Sequence, residues 1–336
     1  MMLIKKILVP TDFSESATPA YIHAQEIAQK FGARIDFMHV VPNLQYFNES
    51  MATMSHQEVP VNLDEDIYPT AQQKSDHQLK EVAKDYVKDE YKGEMITKIN
   101  RKPSSAIAEV AKDGNYDLIV MASKGSHDSD MFRGSTTEKV IRHSEVPVFT
   151  VDKGLTAEGI KRILLPTDGS EISFTALPLA LTLAEIYGAD ITLYHVLELH
   201  GNLLSDESKS PKKSEELNIY ESILEHLQHY LTQEGMENIE IVRGEVDYQD
   251  QLLISTGASS HRVNLYTVLE KGVGAHYAIA DYAPGHADVV VMATHGRGGL
   301  ARFFLGSTTE KVTQYLELPV VTVKPPKEKL AKRENR

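Results

Sequence analysis

Two short residue patterns in this chain have the makings of ligand chemistry, and each occurs twice. Pro10-Thr11-Asp12 returns as Pro166-Thr167-Asp168, each directly after an apolar run. Gly134-Ser135-Thr136-Thr137-Glu138-Lys139-Val140 returns unchanged as Gly306 to Val312. A glycine followed by hydroxyl residues at the start of a helix is suited to binding anions. The backbone N–H groups there have no partner within the helix, the helix dipole favours negative charge, and glycine lets a ligand come close. The hydroxyls of Ser135, Thr136, Ser307 and Thr308 add donors for phosphate oxygens. A plainer reading competes: Ser307 caps the helix and Glu310, at its third position, closes a capping box. The combination of aspartate, glycine loop and hydroxyls, each after a strand and each present twice, favours the anion site.

The elements that hold these residues follow from the repeat. Ile7-Leu8-Val9-Pro10-Thr11-Asp12 corresponds to Ile163-Leu164-Leu165-Pro166-Thr167-Asp168, an offset of 156 from Thr11 to Thr167, and His39-Val40 keeps that offset with His195-Val196. Further on, Asp117 to Ala122 matches Asp288 to Ala293 at an offset of 171, and the glycine-hydroxyl motif matches at 172. Two long matched units mean a pair of domains, since a solenoid needs more and shorter repeats. Each unit alternates apolar strands with amphipathic helices. In the first, strands are expected at 3–9, 34–41, 94–100, 117–122 and 147–151, with helices at about 15–31, 70–91, 103–112 and 135–144. Gly32 ends the first helix and Pro103 opens the third. The fold class is therefore α/β: two tandem open doubly wound domains, each with a five-stranded parallel sheet and right-handed crossovers. The domains are placed at 1–152 and 160–325, with a mobile charged tail over 326–336. The change of offset inserts 15 residues into the second copy between His195 and Asp288. Val263–Glu270 is then its third strand, and Asn238–Val242 belongs to an added hairpin or extended arm.

In such a sheet ligands bind beyond the carboxyl ends of the strands, where the strand order reverses. The segment Met292-Ala293-Thr294-His295-Gly296-Arg297-Gly298-Gly299-Leu300, continuing through Leu305-Gly306-Ser307-Thr308 to Pro319-Val320-Val321-Thr322-Val323, resembles the carboxyl half of universal stress protein domains. ATP-binding members of that family carry Gly-x2-Gly-x9-Gly-Ser/Thr. Gly296 and Gly306 have nine residues between them and fit the last two glycines, while Ala293 replaces the first. The first copy offers Met121, Ala122, Gly125, Gly134, Ser135 and Thr136, but only eight residues separate Gly125 from Gly134, and Asp128 and Asp130 lie between them. The resemblance thus makes the second copy the better nucleotide site, with Gly299 and Arg297 also in its loop. Arg297 and Arg302 either neutralise phosphates or stay solvated. Carried over from the family, Pro166, Asp168 and Val196 line the adenosine end, with Pro10, Asp12 and Val40 their counterparts, and Thr167 joins them as a cofactor-binding candidate. The resemblance also implies ATP, ADP or AMP with Mg²⁺ as cofactor and a stress-response or regulatory role. It implies pairing of the two halves through their last strands, and assembly of tandem chains as a homodimer with a further protein partner unspecified.

Several classes are set aside. The chain of 336 residues has no cysteine, which removes disulfides, thiolate catalysis and zinc-thiolate sites. A formal charge of −13 argues against duplex DNA binding, and no apolar run reaches the roughly 18 residues of a membrane span. The opening residues run straight into a strand, so no signal peptide is expected and a cytoplasmic protein is the plain reading. Gly296-Arg297-Gly298-Gly299-Leu300-Ala301 fits the dinucleotide expression but follows the fourth strand instead of the first, and no P-loop is present. His39 and His195, near strand ends without a ligand cluster, read as packing residues. Two alternatives to nucleotide-dependent regulation stand: an interaction module with vestigial loops, and a slow ATPase or self-phosphorylating protein using Ser307 or Thr308, for which no general base stands out.

Overall fold

A computed structural model describes residues 2–44, 63, 67–124, 134–152, 159–198, 213–257, 259–295 and 305–334. The chain divides into two compact units, Ile4–Gly154 and Leu155–Arg336, the latter joined by Met1–Leu3.

In the first unit β1 (Lys6–Pro10), α1 (Thr18–Phe31), β2 (Arg34–Pro42), α2 (Tyr68–Tyr86), β3 (Lys92–Asn100), α3 (Pro103–Asp113), β4 (Leu118–Ala122), α4 (Ser135–His143) and β5 (Val148–Val151) follow one another. The strands lie in the order β3-β2-β1-β4-β5, all parallel. Strand order therefore reverses between β1 and β4. Those central strands are apolar along their length and buried on both faces, as a helix-covered parallel sheet demands. Ala20, Ala24, Ile27 and Ala28 form the buried stripe of α1 at helical spacing, and the helix stops at Gly32 with φ 68. Pro103 occupies the first turn of α3, where its missing N–H costs nothing. Helix α2 ends earlier than its run of helix formers suggests: Val87 is extended, and the Lys88 N–H is taken by the Gln25 side chain at 3.0 Å. At the outer edge, β3 is only partly buried and carries Lys92, Glu94 and Lys98, charges that discourage edge pairing.

The second unit repeats the plan with β6 (Arg162–Pro166), α5 (Leu177–Tyr187), β7 (Asp190–Glu198), α6 (Lys213–Gln233), β8 (Ile239–Val242), β9 (Gln249–Thr256), β10 (Ser259–Gly272), α7 (Ala275–His286), β11 (Val289–Ala293), α8 (Ser307–Tyr315), β12 (Val320–Val323) and α9 (Lys327–Glu334). Its strand order is β12-β11-β6-β7-β10-β9-β8. The expected five parallel strands are present, with β10 as the third, and among the described residues the insertion adds two more strands to them. The inserted residues make a meander in which β9 pairs antiparallel with β10 and β8 antiparallel with β9. Asp250, 3 % exposed, is the buried charge of this addition. It accepts bonds from the Tyr220 hydroxyl at 2.6 Å and the Gly244 N–H at 3.2 Å, and pairs with Arg243 at 3.2 Å. Burial and this carboxylate push the Tyr220 hydroxyl up to about 12. The charged end of the chain, expected as a mobile tail, is helical in α9. Lys329 there pairs with Glu234 at 2.5 Å and lies 4.3 Å from the centre of the Tyr230 ring.

Candidate functional site

Between β6 and β11 the strand order of the second domain reverses, and beyond their carboxyl ends is where an open sheet receives its ligand. Pro166, Thr167 and Asp168 leave β6 on one side, and Val196 lies half-buried on the adjoining β7. Met292 and Ala293 end β11 on the other side, leading to Thr294 and His295, both buried. Helix α8 returns its N-terminus to the same place.

That N-terminus is tied to β11 by two bonds. The Gly306 N–H donates to the Thr294 carbonyl at 2.9 Å, and Thr309 Oγ1 donates to the Ala293 carbonyl at 3.0 Å. Thr294 is fixed in turn by its N–H to the Val323 carbonyl at 2.8 Å. Gly306 adopts an ordinary φ of −59°, so its role is space: a Cβ there would stand 3.0 Å from the Thr294 oxygen. The competing capping-box reading does not hold. Gly306 itself is the N-cap, no side chain caps the helix, and Ser307 is its first residue, not its cap. Among the described residues neither Ser307 nor Thr308 spends its hydroxyl on a protein partner. The helix start thus offers N–H groups and hydroxyls together, a donor set for an anion.

Opposite, a chain of local bonds fixes the Pro-Thr-Asp turn. Thr167 Oγ1 accepts from the Gly169 N–H at 3.0 Å and bonds Ser173 Oγ at 2.7 Å. Asp168 Oδ1 accepts from the Ser170 N–H at 2.9 Å and from its hydroxyl at 2.5 Å. His195 Nδ1–H donates to the Thr167 carbonyl at 2.8 Å, and His39 repeats this to Thr11 at 2.7 Å. Both histidines are therefore positioning residues for the turn, in keeping with their packing role in the sequence. Ser170 and Ser173 are site-shaping residues that sequence reasoning missed, although Asp-x-Ser after a strand is a recognisable side-chain turn.

The first domain builds the same frame from Pro10, Asp12, Val40, Met121, Ala122, Gly134, Ser135 and Thr136. The Gly134 N–H donates to Ser123 at 2.8 Å and Thr137 Oγ1 to Ala122 at 2.9 Å. Two details differ. At the position of Gly169, whose φ is 74, stands Phe13, with φ 63 and its ring 4.5 Å from that of His39. A left-handed aromatic residue is strained by roughly 1–2 kcal/mol. The Thr11 hydroxyl is bonded by Tyr21, whose own hydroxyl burial pushes up to about 12 against that bond. Gly125, Gly296, Arg297 and Gly299 lie outside the described residues, as do Asp128, Asp130 and Arg302.

For a metal, the described residues contain no group of three or more His, Asp or Glu side chains able to hold one. The donors present suit phosphate, and a divalent ion here would rest on phosphate oxygens and water, as Mg²⁺ commonly does. No helix among the described residues is long and apolar enough to cross a membrane.

Comparison with known proteins identifies relatives of the whole chain. The model of the universal stress protein family matches residues 3–152 and again 159–324. Two universal stress proteins of Methanocaldococcus jannaschii are similar to parts of the chain. One is 29% identical over 167 residues, 50% of this chain and 84% of its own length. The other is 27% identical over 162 residues, 45% of this chain and 97% of its own. Among solved structures, a universal stress protein of Archaeoglobus fulgidus aligns over 98% of this chain and 100% of its own, with 18% identity and a TM-score of 0.55. A functionally unknown protein of Pseudomonas aeruginosa aligns over 98% of both chains at 16% identity and a TM-score of 0.58. Those two likenesses concern the fold.

Proposed function

The chain belongs to the universal stress protein family across both of its domains, and we propose that it binds ATP, or ADP or AMP, with Mg²⁺ chiefly in the second domain. In this reading it is a stress-response regulator: nucleotide occupancy sets its assembly, as a homodimer of tandem chains, or its hold on a protein partner.

The observation that carries the reading is the start of α8. Gly306 is held so close to Thr294 that a Cβ would stand 3.0 Å from its carbonyl oxygen, and the Ser307 and Thr308 hydroxyls stand beside the N–H groups of the first turn. Phosphate oxygens meet several donors and the positive end of a helix dipole there. In this reading Asp168 and Val196 take the adenosine end, the carboxylate as an acceptor for ribose hydroxyls and the valine as an apolar wall. Mg²⁺ travels with the phosphates and needs few ligands from the protein.

Ala293 favours a second reading, because it stands where ATP-binding members carry a glycine. In that reading both loops are structural, and the chain is an interaction module. Calorimetric titration of the intact chain with ATP–Mg²⁺ separates the two. The nucleotide reading expects one saturable event per chain, weakened in Ser307→Ala. No heat and no competition by ADP or AMP would leave the interaction module standing.

A further inference from the structure

The second domain has another cleft, of about 670 Å³, that the nucleotide reading does not use. Its volume falls within the range of small-molecule sites. Arg162 and Asp190, the first residues of β6 and β7, line it, so it lies toward the strand ends opposite those that carry Asp168 and Ala293.

Tyr248, Tyr266, Tyr282 and His286 supply its rings. Tyr282 is held rigid, stacked on Tyr194 at 4.7 Å and on His286 at 4.0 Å. Tyr266 is half-buried and has no ring partner among the described residues. Tyr248 has φ 70, a left-handed conformation that an aromatic residue rarely adopts. Strain of this kind persists where the surroundings impose it, and it gathers at binding sites.

The charges are one-sided. Asp190, Glu216 and Asp247 line the cleft, and its one guanidinium, Arg162, is committed to Asp288 at 2.9 Å and the Gly285 carbonyl at 2.8 Å. Asp190 accepts from Asn264, and Glu216 has Lys271 at 3.6 Å. Asp247 is exposed and has no ion pair among the described residues. Burial first, then Glu216 and Asp247, holds the Tyr248 hydroxyl above its ordinary value.

The corresponding cleft of the first domain, of about 480 Å³, also has carboxylates, Glu94, Glu109 and Asp113, but it carries its own cations, Lys6 and Lys98, and a single aromatic residue, Tyr116. Lys6 lies 4.2 Å from the centre of the Tyr116 ring and 3.4 Å from Asp36, so a cation already rests on the ring and beside a carboxylate. The counterpart of Lys6 is Arg162, which turns to Asp288 instead.

We propose that the cleft of the second domain binds a small organic ammonium cation, its charge facing Asp247 and Glu216 and its body against the ring of Tyr266, with the Tyr194–Tyr282–His286 stack as a rigid wall. Ring faces attract such a cation electrostatically, and nearby carboxylates add to the field.

The test is a titration of the full chain with choline, and with its neutral carbon isostere, followed by calorimetry and by tyrosine ring resonances. Physiological salt is present to screen generic attraction to an acidic protein. Choline saturates at one site per chain and the isostere does not bind. Tyr266→Leu and Asp247→Asn each weaken choline by about fivefold to thirtyfold. Asp247 is exposed, so its variant keeps the fold, which thermal melting checks. A response that never saturates, equal binding of the isostere, or Asp247→Asn binding choline as tightly as the parent overturns the proposal.

Discussion

Replacing Gly306 with alanine separates space-filling at the start of α8 from the general stability of the domain. The added methyl meets the Thr294 carbonyl oxygen at 3.0 Å and the His295 Cα at 3.7 Å. Thr294 has little freedom to retreat, since its N–H is held by Val323 and its carbonyl by Gly306 itself. The strain therefore falls on the helix N-terminus, which moves away from β11 by a few tenths of an ångström. Such overpacking costs about 1 kcal/mol. The backbone at Gly306, φ −59° and ψ 138°, suits alanine, which lowers the entropy of the unfolded chain and returns about 0.5 kcal/mol. Stability by urea denaturation thus changes by less than about 1 kcal/mol. A bound phosphate suffers more, because its charge-assisted bonds to the displaced N–H groups contribute roughly 1.5–3 kcal/mol each. Calorimetry with ATP–Mg²⁺ is expected to show affinity lower by about tenfold to a hundredfold. Gly134→Ala, the same change in the first domain, leaves that affinity unaltered. Unchanged binding in Gly306→Ala, or an equal loss in both variants, refutes the reasoning.

Other expectations concern the frame around the site. Asp250→Ala strands the buried Tyr220 hydroxyl and the Gly244 N–H; Arg243, about half exposed, keeps its two bonds to Glu221. The urea midpoint should fall by the equivalent of about 2–4 kcal/mol. Thr309→Val keeps the shape but deletes the bond to the Ala293 carbonyl, costing about 1 kcal/mol in the same assay, and Thr137→Val does likewise in the first domain. Burial raises the Asp288 carboxyl, but bonds from Arg162 and from the N–H groups of Lys161 and Arg162 outweigh it and hold the carboxyl below its ordinary 3.8. Its stabilisation is therefore complete above that value and is lost as pH falls through the lowered folded value. Asp288→Asn should remove this component from the acid limb of a stability–pH curve, and an unchanged acid limb counts against it.

Much of this architecture was legible in the sequence because each signal had one physical cause. Buried parallel strands must be apolar throughout, so β1, β4, β6 and β11 stood out, and their recurrence at fixed offsets revealed two domains. Gly32 and Pro103 marked helix ends for conformational reasons that need no tertiary context. Strand β9 was illegible because Asp250 occupies an inward position, which breaks the apolar alternation that identifies a strand. Tyr220, far off in sequence, and Arg243 and the Gly244 N–H, across a turn, make that aspartate tolerable. Helix α2 overran in the sequence reading because its end is set by Gln25 and not by any local stop signal. Likewise, Ser-Thr-Thr-Glu is an acceptable capping box by spacing, and only the contact of Gly306 with Thr294 shows that the glycine, not the serine, is the cap. Strands β6 and β11 pair side by side, so the Pro166–Asp168 turn and the start of α8 both lie at the carboxyl ends of adjacent strands, whereas the bonds from Ser170 and Ser173 that shape the turn carry no signal that the switch-point rule reads.

The central claim is tested most directly by the nucleotide content of the purified protein. The chain is denatured, and released small molecules are identified and counted by chromatography and mass spectrometry. The account predicts about one adenine nucleotide per chain, absent when Gly306 is replaced by a bulky residue and retained when Gly134 is. A chain that carries no nucleotide and takes up no added ATP–Mg²⁺ would contradict it.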